Sequence, residues 1–120
     1  MKKIYHLSTC STCQRIIREL ELEQKGFEFQ DIKTNKITPQ QLEEIAAKSG
    51  GFESLFSRRA MKYKSMGLAE KNLSENDIKE LILSEYTFLK RPVIQVDEEQ
   101  FVGNSKKTIE AAAKCLGLTI

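Results

Sequence analysis

The sequence predicts a single α/β layered domain over 1–120. Segments with strand patterns alternate with helical ones in the order β-α-β, then a helical block, then β-β-α. At 120 residues the chain has the usual size of one domain and can bury a core without disulfides or metal ions. Hydrophobic residues make up 40% and charged residues 30%, the balance of an ordinary globular protein.

The first half of this domain is predicted as a strand, a helix and a second strand. Strand-type residues over 3–7 precede a helix over 13–23, in which apolar residues recur at helical spacing. Ser8 and Thr9, between the two, carry hydroxyls of the kind that cap helix N-termini. Apolar residues that alternate with polar ones predict the second strand over 27–32: Phe27, Phe29 and Ile32.

A helical block over about 38–88 follows, and cap residues mark two of its helices. Thr38 precedes a proline at the first helical position, and Gln41 completes a capping box. Ser74 caps a later helix, with Asp77 three residues on. The block separates the two strand-containing halves of the domain.

The second half is predicted as a hairpin followed by a helix. Residues 93–96 form a strand, 97–100 a charged turn and 101–102 a short return strand. Asn104 or Ser105 then caps the last helix. The sequence contains no repeat, low-complexity tract or linker that would divide this arrangement.

The charge balance argues against several classes of partner. The net charge is +2, from 19 basic and 17 acidic residues, which is too small to favour nucleic acid or an anionic membrane. The N-terminus lacks the apolar run of a signal peptide, and no stretch approaches the roughly 20 apolar residues of a membrane helix. We therefore expect a soluble, cytoplasmic protein that binds neither nucleic acid nor membrane directly.

The chemistry is predicted at Cys10-Ser11-Thr12-Cys13, where a strand gives way to a helix. The first turn of a helix has unpaired N–H groups and a partial positive charge, and both favour a thiolate. Because the pKa of a cysteine is lowered at such positions, Cys10 is the predicted nucleophile. Cys13 lies about one turn further on, near enough to resolve a mixed disulfide. The hydroxyls of Ser11 and Thr12 are expected donors to the thiolate.

Other uses of these residue types are less well supported. A structural zinc site needs four ligands, and His6 with the distant Cys115 completes it poorly. We expect Cys115 to be a small buried hydrophobe, and His6 to be structural rather than a general base. Arg15, one turn into the helix, adds positive charge if it folds back toward Cys10. No metal ion or bound cofactor is therefore expected.

Several segments resemble one known family in the same order along the chain. They are Ile4-Tyr5-His6 leading into Cys10-Ser11-Thr12-Cys13-Gln14-Arg15, then Leu55-Phe56-Ser57-Arg58-Arg59, the segment 89–94, and Val102-Gly103-Asn104. This pattern resembles the ArsC-like family, which groups glutaredoxin-coupled arsenate reductases with the Spx regulators. The resemblance implies a thioredoxin-like fold, with a central mixed four-stranded sheet and a helical insert between the β-α-β and β-β-α halves. It also implies a cis peptide bond before Pro92, facing the Cys10 loop.

The resemblance further implies a set of site residues. In arsenate reductases of this family, the counterpart of Cys10 attacks arsenate, and a few arginines hold the oxyanion. Guanidinium groups suit that task because their fork of N–H donors matches tetrahedral oxyanions. The substrate-binding residues implied in this way are Ser11, Thr12, Arg59 (or its neighbour Arg58), Arg91 and Pro92.

Two positions depart from the arsenate reductases. The third oxyanion arginine, expected just after the last strand, is replaced by Gly103-Asn104. Losing one charge-assisted contact of about 1.5–3 kcal/mol weakens oxyanion binding roughly ten- to hundredfold. Cys13 stands where the glutathione-coupled reductases usually have no resolving cysteine. Both features are closer to Spx and its relatives.

Three functions are compatible with the sequence. The first is an arsenate-reductase-like thiol–disulfide oxidoreductase that acts on a small oxyanion or a thiol/disulfide substrate, with glutathione, glutaredoxin or thioredoxin as electron donor. The second is an Spx-like redox-sensing transcriptional regulator, in which a Cys10–Cys13 disulfide changes a surface that binds RNA polymerase. The third is an inactive member that keeps the fold for another partner, which the intact Cys-x-x-Cys argues against. We favour the enzyme.

Overall fold

The computed structural model of the protein describes residues 1–118 and divides into two compact units. The first, which we call the sheet unit, comprises Met1–Asn35 and the chain from Arg91 onward. The second, the helical unit, is Lys36–Lys90. Thr119 and Ile120, the end of the domain predicted over 1–120, lie outside the described residues.

The sheet unit contains a mixed four-stranded sheet. Its strands are β1 (Lys2–His6), β2 (Glu28–Asp31), β3 (Val93–Val96) and β4 (Glu99–Val102). They lie in the order β2-β1-β3-β4, with β1 parallel to β2 and antiparallel to β3. Strands β3 and β4 form an antiparallel hairpin. This arrangement confirms the α/β class and the mixed four-stranded sheet expected from the sequence.

Residues 1–118 form five α-helices, two in the sheet unit and three in the helical unit. They are α1 (Ser11–Glu19), α2 (Pro39–Ser49), α3 (Met61–Ser65), α4 (Glu75–Ser84) and α5 (Lys106–Cys115). Single 3₁₀ turns occur at Leu22–Gln24, Glu53–Leu55, Leu68–Glu70 and Tyr86–Phe88. Within this part of the chain, none of the helices is long and apolar enough to cross a bilayer.

Helices α1 and α5 share a buried core with the central strands of the sheet unit. Ile4 and Ile94, which are paired across β1 and β3, are almost fully buried in it. Ile16 and Leu20 from the α1 region and Ala112 from α5 belong to the same cluster. Full burial of a Leu or Ile side chain stabilises a fold by about 1.5–3 kcal/mol, so this cluster holds α1 firmly against the sheet.

Helix α1 begins differently from the prediction. Its N-cap is Cys10 and its first residue is Ser11, two residues earlier than expected. The N–H of Cys10 donates to the Leu7 carbonyl oxygen at 3.0 Å, which closes a turn over the two residues between them. Because Ser8 and Thr9 are used in that turn, the prediction that their hydroxyls cap this helix is wrong.

Two further boundaries differ from the sequence prediction. Helix α1 ends at Glu19 rather than near residue 23, because Glu21 has a left-handed backbone with φ of 55°. The turn between β3 and β4 consists of Asp97 and Glu98 alone, since the next residue already belongs to β4. Asp97 has φ of 54°, a conformation that tight two-residue hairpins need.

Strand β2 lies at the edge of the sheet, and its side chains are not sorted by polarity. Phe29, apolar in the predicted alternation, is 37% exposed. Gln30 is buried, and its amide donates to the Asn35 carbonyl oxygen at 3.1 Å. An edge strand has a neighbour on one side only, so the polarity pattern alone does not fix which of its side chains are covered.

Cap residues follow the prediction elsewhere. The Thr38 hydroxyl accepts from the Gln41 N–H at 3.0 Å, and the Gln41 side chain accepts from the Thr38 N–H at 3.0 Å. Ser74 and Asp77 make the same reciprocal pair at the start of α4. Of the two candidates for capping α5, Ser105 does so.

Thr38→Ala is expected to lower the free energy of unfolding by about 1 kcal/mol, because it leaves the first turn of α2 without its hydroxyl acceptor. Thr9→Ala is the matched control, since Thr9 is exposed and Cys10 holds the cap position of α1. Urea denaturation followed by circular dichroism measures both variants. Equal losses in the two would contradict these cap assignments.

Candidate active site

Cys10 stands where β1 has ended and α1 begins. Its backbone is extended, with φ of −92° and ψ of 112°, the geometry of an N-cap residue. Its carbonyl oxygen accepts from the Gln14 N–H at 3.1 Å, which is the first hydrogen bond of the helix. Cys10 is partly exposed, in contrast to the buried Cys13.

Several polar groups act on the Cys10 sulfur. Partial burial opposes its ionisation, but the Cys13 N–H, the Cys13 thiol, the Arg91 guanidinium and the Thr12 N–H favour it. Together they place the pKa of Cys10 below the ordinary value of a cysteine. A lowered pKa raises the thiolate fraction at neutral pH, and the thiolate is the attacking species. The part expected of the Ser11 and Thr12 hydroxyls stays a prediction.

The pKa of Cys13 is shifted in the opposite direction to that of Cys10. Its side chain is fully buried on the inner face of α1. Burial and the neighbouring Cys10 raise the pKa of Cys13 to about 11, against the opposing effects of the Leu7 N–H and Arg91. The two thiols act on each other: Cys13 favours ionisation of Cys10, whereas Cys10 opposes ionisation of Cys13. Cys13 is therefore a neutral thiol at pH 7.

Arg91 precedes β3 and brings a positive charge to the cysteine pair. Its guanidinium favours the thiolate form of both sulfurs. The side chain is half-buried, and the following residue, Pro92, is buried. The Arg91–Pro92 peptide bond is cis, as the family resemblance implies.

The other arginines predicted for the site are placed as follows. Arg58 and Arg59 belong to the helical unit and are exposed. Arg58 Nη2 lies 3.4 Å from Glu53 Oε1, and the oxyanion contact expected for Arg59 stays a prediction. Arg15 runs along α1, with Nε 3.7 Å from Glu19 Oε1, rather than back toward the nucleophile.

Cys115 is exposed, so the prediction of a buried side chain is wrong. The buried residues of α5 are Ile109, Ala112 and Ala113, and Cys115 falls outside that stripe. Within residues 1–118, no group of three or more His, Cys, Asp and Glu side chains could hold a metal ion.

His6 is buried near the end of β1. Burial lowers its pKa, against the opposing negative charge of Asp31, so the ring is neutral at pH 7. The ring meets Phe29 edge-on, with 5.6 Å between centroids. Among the described residues, His6 Nδ1 has no hydrogen-bond partner. These surroundings fit the structural role expected for His6.

One residue that sequence reasoning missed holds the turn before Cys10. Asp31, the last residue of β2, accepts from the Ser8 N–H at 3.4 Å and from the Lys33 N–H at 3.1 Å. Ser8 belongs to the turn between β1 and Cys10, the N-cap of α1. Ser8 and Asp31 are 23 residues apart, so only knowledge of the β1–β2 register could have indicated this contact.

The sequence matches the ArsC family over residues 5–112, a range that includes the cysteine pair and Arg91. This chain belongs to the ArsC family. One relative is the uncharacterized protein YusI of Bacillus subtilis (strain 168), which is 30% identical over 111 residues that cover 88% of this chain and 92% of YusI. Another is the global transcriptional regulator Spx 1 of Lactococcus lactis subsp. lactis (strain IL1403), 24% identical over 112 residues that cover 92% of this chain and 88% of Spx 1.

Solved structures show the same fold. The arsenate reductase from Vibrio cholerae matches this ArsC-family chain with a TM-score of 0.77 at 15% identity, covering 92% of this chain and 95% of that one. The ArsC-family chain thus has the thioredoxin-like fold that the resemblance implied, with a helical segment between its β-α-β and β-β-α halves.

At neutral pH, iodoacetamide is expected to modify Cys10 well before Cys13, because a lowered pKa supplies thiolate at position 10 while burial keeps Cys13 protonated. Site-resolved mass spectrometry of the Cys115→Ser variant measures both rates as the pH is raised. The rate at Cys10 levels off at a lower pH than the rate at Cys13, whose pKa is about 11.

Alkylation in concentrated urea is the control, because the two cysteines lose their different surroundings on unfolding and are expected to react at similar rates. Modification of Cys13 first in the folded protein would contradict this account of the site.

Proposed function

We propose that this chain is a thiol–disulfide oxidoreductase of the ArsC family, in which Cys10 attacks and Cys13 resolves. The observation that supports it most strongly is the asymmetry of the two neighbouring thiols. Cys10 is partly exposed with a lowered pKa, whereas Cys13 is buried with a raised one. A reactant therefore meets first the thiol that ionises more readily, while the buried thiol stays protonated at pH 7.

The first step is attack of the Cys10 thiolate on one sulfur of a substrate disulfide. A bond forms between Cys10 and that sulfur, the substrate S–S bond breaks, and the other substrate sulfur leaves as a thiolate that takes up a proton. Arg91 and the first N–H groups of α1 favour the Cys10 thiolate before the attack.

The second step releases the other half of the substrate. Cys13 gives up its proton, its sulfur attacks Cys10, and the bond between Cys10 and the substrate breaks. The substrate has gained two electrons and become two thiols, and the cysteine pair has become a disulfide. A cellular thiol donor (glutathione, glutaredoxin or thioredoxin) then reduces that disulfide, in the cytoplasm that we expect for this protein.

A disulfide suits this site better than arsenate does. Arg91 brings one positive charge to the cysteine pair, and Gly103-Asn104 stands where the third oxyanion arginine is expected from the resemblance. One missing charge-assisted contact lowers affinity for an oxyanion roughly ten- to hundredfold. A neutral disulfide needs no such contact.

Cys10→Ser is expected to lower the reduction of a small disulfide by about two or more orders of magnitude, because the attacking sulfur is lost. Bis(2-hydroxyethyl) disulfide is the substrate and glutathione the donor, with NADPH consumption by glutathione reductase as the readout. Cys13→Ser is expected to accumulate a mixed disulfide on Cys10, which intact-mass spectrometry detects.

Cys115→Ser is the matched control, since Cys115 is exposed on α5 and takes no part in the cysteine pair. Its turnover is expected to equal that of the unmodified chain. The enzymatic proposal would be contradicted by full activity of Cys10→Ser. It would also be contradicted if disulfide, peroxide and arsenate substrates all gave no turnover.

A second candidate function is an Spx-like redox-sensing regulator, favoured by the 24% identity to Spx 1 over 92% of this chain. The Cys10–Cys13 disulfide would then alter binding to RNA polymerase instead of completing a catalytic cycle. Pull-down with the polymerase α subunit, with and without oxidant, tests it. Oxidant-dependent capture that Cys13→Ser abolishes supports the regulator, whereas equal recovery of reduced and oxidised chain contradicts it.

A further inference from the structure

The turn between β4 and α5 holds the backbone that carries Arg91. Asn104 Nδ2 donates to the Arg91 carbonyl oxygen at 3.4 Å. The N–H of the preceding residue, Gly103, donates to the Pro92 carbonyl oxygen at 2.9 Å. Two adjacent residues of one turn therefore bind the carbonyl oxygens of two adjacent residues that are 11 to 13 positions earlier in the chain.

This turn is itself held at both ends. Val102, just before it, pairs with Val93 in the β3–β4 ladder. Ser105, just after it, caps α5 by accepting from the Thr108 N–H at 3.2 Å. Gly103 has φ of 92°, a backbone conformation that a side chain would strain, and this conformation turns the chain out of β4. The backbone on both sides of Asn104 is therefore anchored independently of the bond to Arg91.

The position of Arg91 matters because its charge acts on the cysteine pair. The interaction between a guanidinium and a thiolate weakens as their separation grows. Arg91 lies just before β3 and is not one of the residues paired in the β1–β3 or β3–β4 ladders. The Asn104 amide binds the backbone of Arg91 directly, through its carbonyl oxygen.

We propose that Asn104 is a positioning residue for Arg91: its amide holds the Arg91 carbonyl, and through it keeps the guanidinium beside Cys10. This inference rests on the proposed function, since it assigns a task within the same site. Asn104 acts through Arg91 and touches neither thiol in this role. An asparagine at the place where the resemblance implies an oxyanion-binding arginine thus serves the nucleophile and not the substrate.

Asn104→Ala is expected to lower the alkylation rate of Cys10 about two- to fivefold near pH 6.5, because the thiolate fraction falls as Arg91 moves away. The rates of the variant and the unmodified chain are expected to converge at high pH, where Cys10 is fully ionised in both. Asn104 is exposed, so truncating it leaves no buried cavity. Both proteins carry Cys115→Ser, which leaves the cysteine pair as the reacting thiols.

Ser105→Ala is the matched control, because it removes a cap from the same turn without touching Arg91. It is expected to lower stability while leaving the pH profile of Cys10 unchanged. Asn104→Gln keeps an amide donor and is expected to restore part of the profile. If Ser105→Ala shifted the profile as much as Asn104→Ala, general loosening of the turn would explain the effect and the proposal would be wrong.

A double-mutant cycle with Arg91→Ala decides whether Asn104 acts through Arg91. Once Arg91 is gone, Asn104→Ala is expected to cause no further shift, and an undiminished shift would overturn the proposal. An activated Cys10 whose profile Asn104→Ala leaves unchanged would refute this inference alone. A Cys10 that titrates near the free-cysteine value of about 8.5 in the unmodified chain would instead remove the proposed function, and this inference with it.

Discussion

The backbone N–H groups at the start of a helix have no acceptor within the helix, and here a sulfur atom stands beside them. Residue 10 is the N-cap of α1, so the N–H groups of Thr12 and Cys13 favour negative charge on the Cys10 sulfur. A serine or aspartate in that position would stabilise the helix and leave no nucleophile. The same geometry places residue 13 on the inner face of the helix, so one local constraint sets the surroundings of both thiols.

The extent of burial is the main difference between the two cysteines, and it separates their pKa values. Burial opposes ionisation of both, but Cys10 is partly exposed and is compensated by N–H groups and Arg91, whereas Cys13 is fully buried in α1. Cys13 is one of the buried residues of α1 together with Ile16 and Ile17, and those two belong to the core that holds α1 against the sheet. The buried face of α1 therefore both packs in the core and keeps protonated the thiol that acts second in the proposed reaction.

Local patterns in the sequence predicted much of the fold, and long-range contacts set the rest. The capping boxes at Thr38 and Ser74 were predictable because each involves residues three apart. The start of α1 could not be predicted, because a hydrogen bond from the Cys10 N–H to the Leu7 carbonyl oxygen places Ser8 and Thr9 in a turn. The place of Cys10 at a strand–helix junction could also be predicted, because the Cys-x-x-Cys motif follows a short strand pattern directly. The Asn104 contact could not be predicted, since it depends on how the β3–β4 hairpin brings distant residues together.

The groups that favour the Cys10 thiolate also affect the energy of its oxidation. A thiolate benefits from the helix N–H groups and from Arg91, but a sulfur in a disulfide carries no charge and loses that benefit. These groups therefore stabilise the reduced pair selectively and make its disulfide a stronger oxidant, as for other couples whose reduced form is stabilised. Once the pKa of Cys10 lies below the ambient pH, each further unit by which it falls corresponds to about 1.4 kcal/mol, or about 30 mV for a two-electron couple. In the proposed reaction, such a pair is regenerated by small thiols and acts on strained or exposed disulfides, which are the more oxidising ones, rather than on the stable crosslinks of folded proteins.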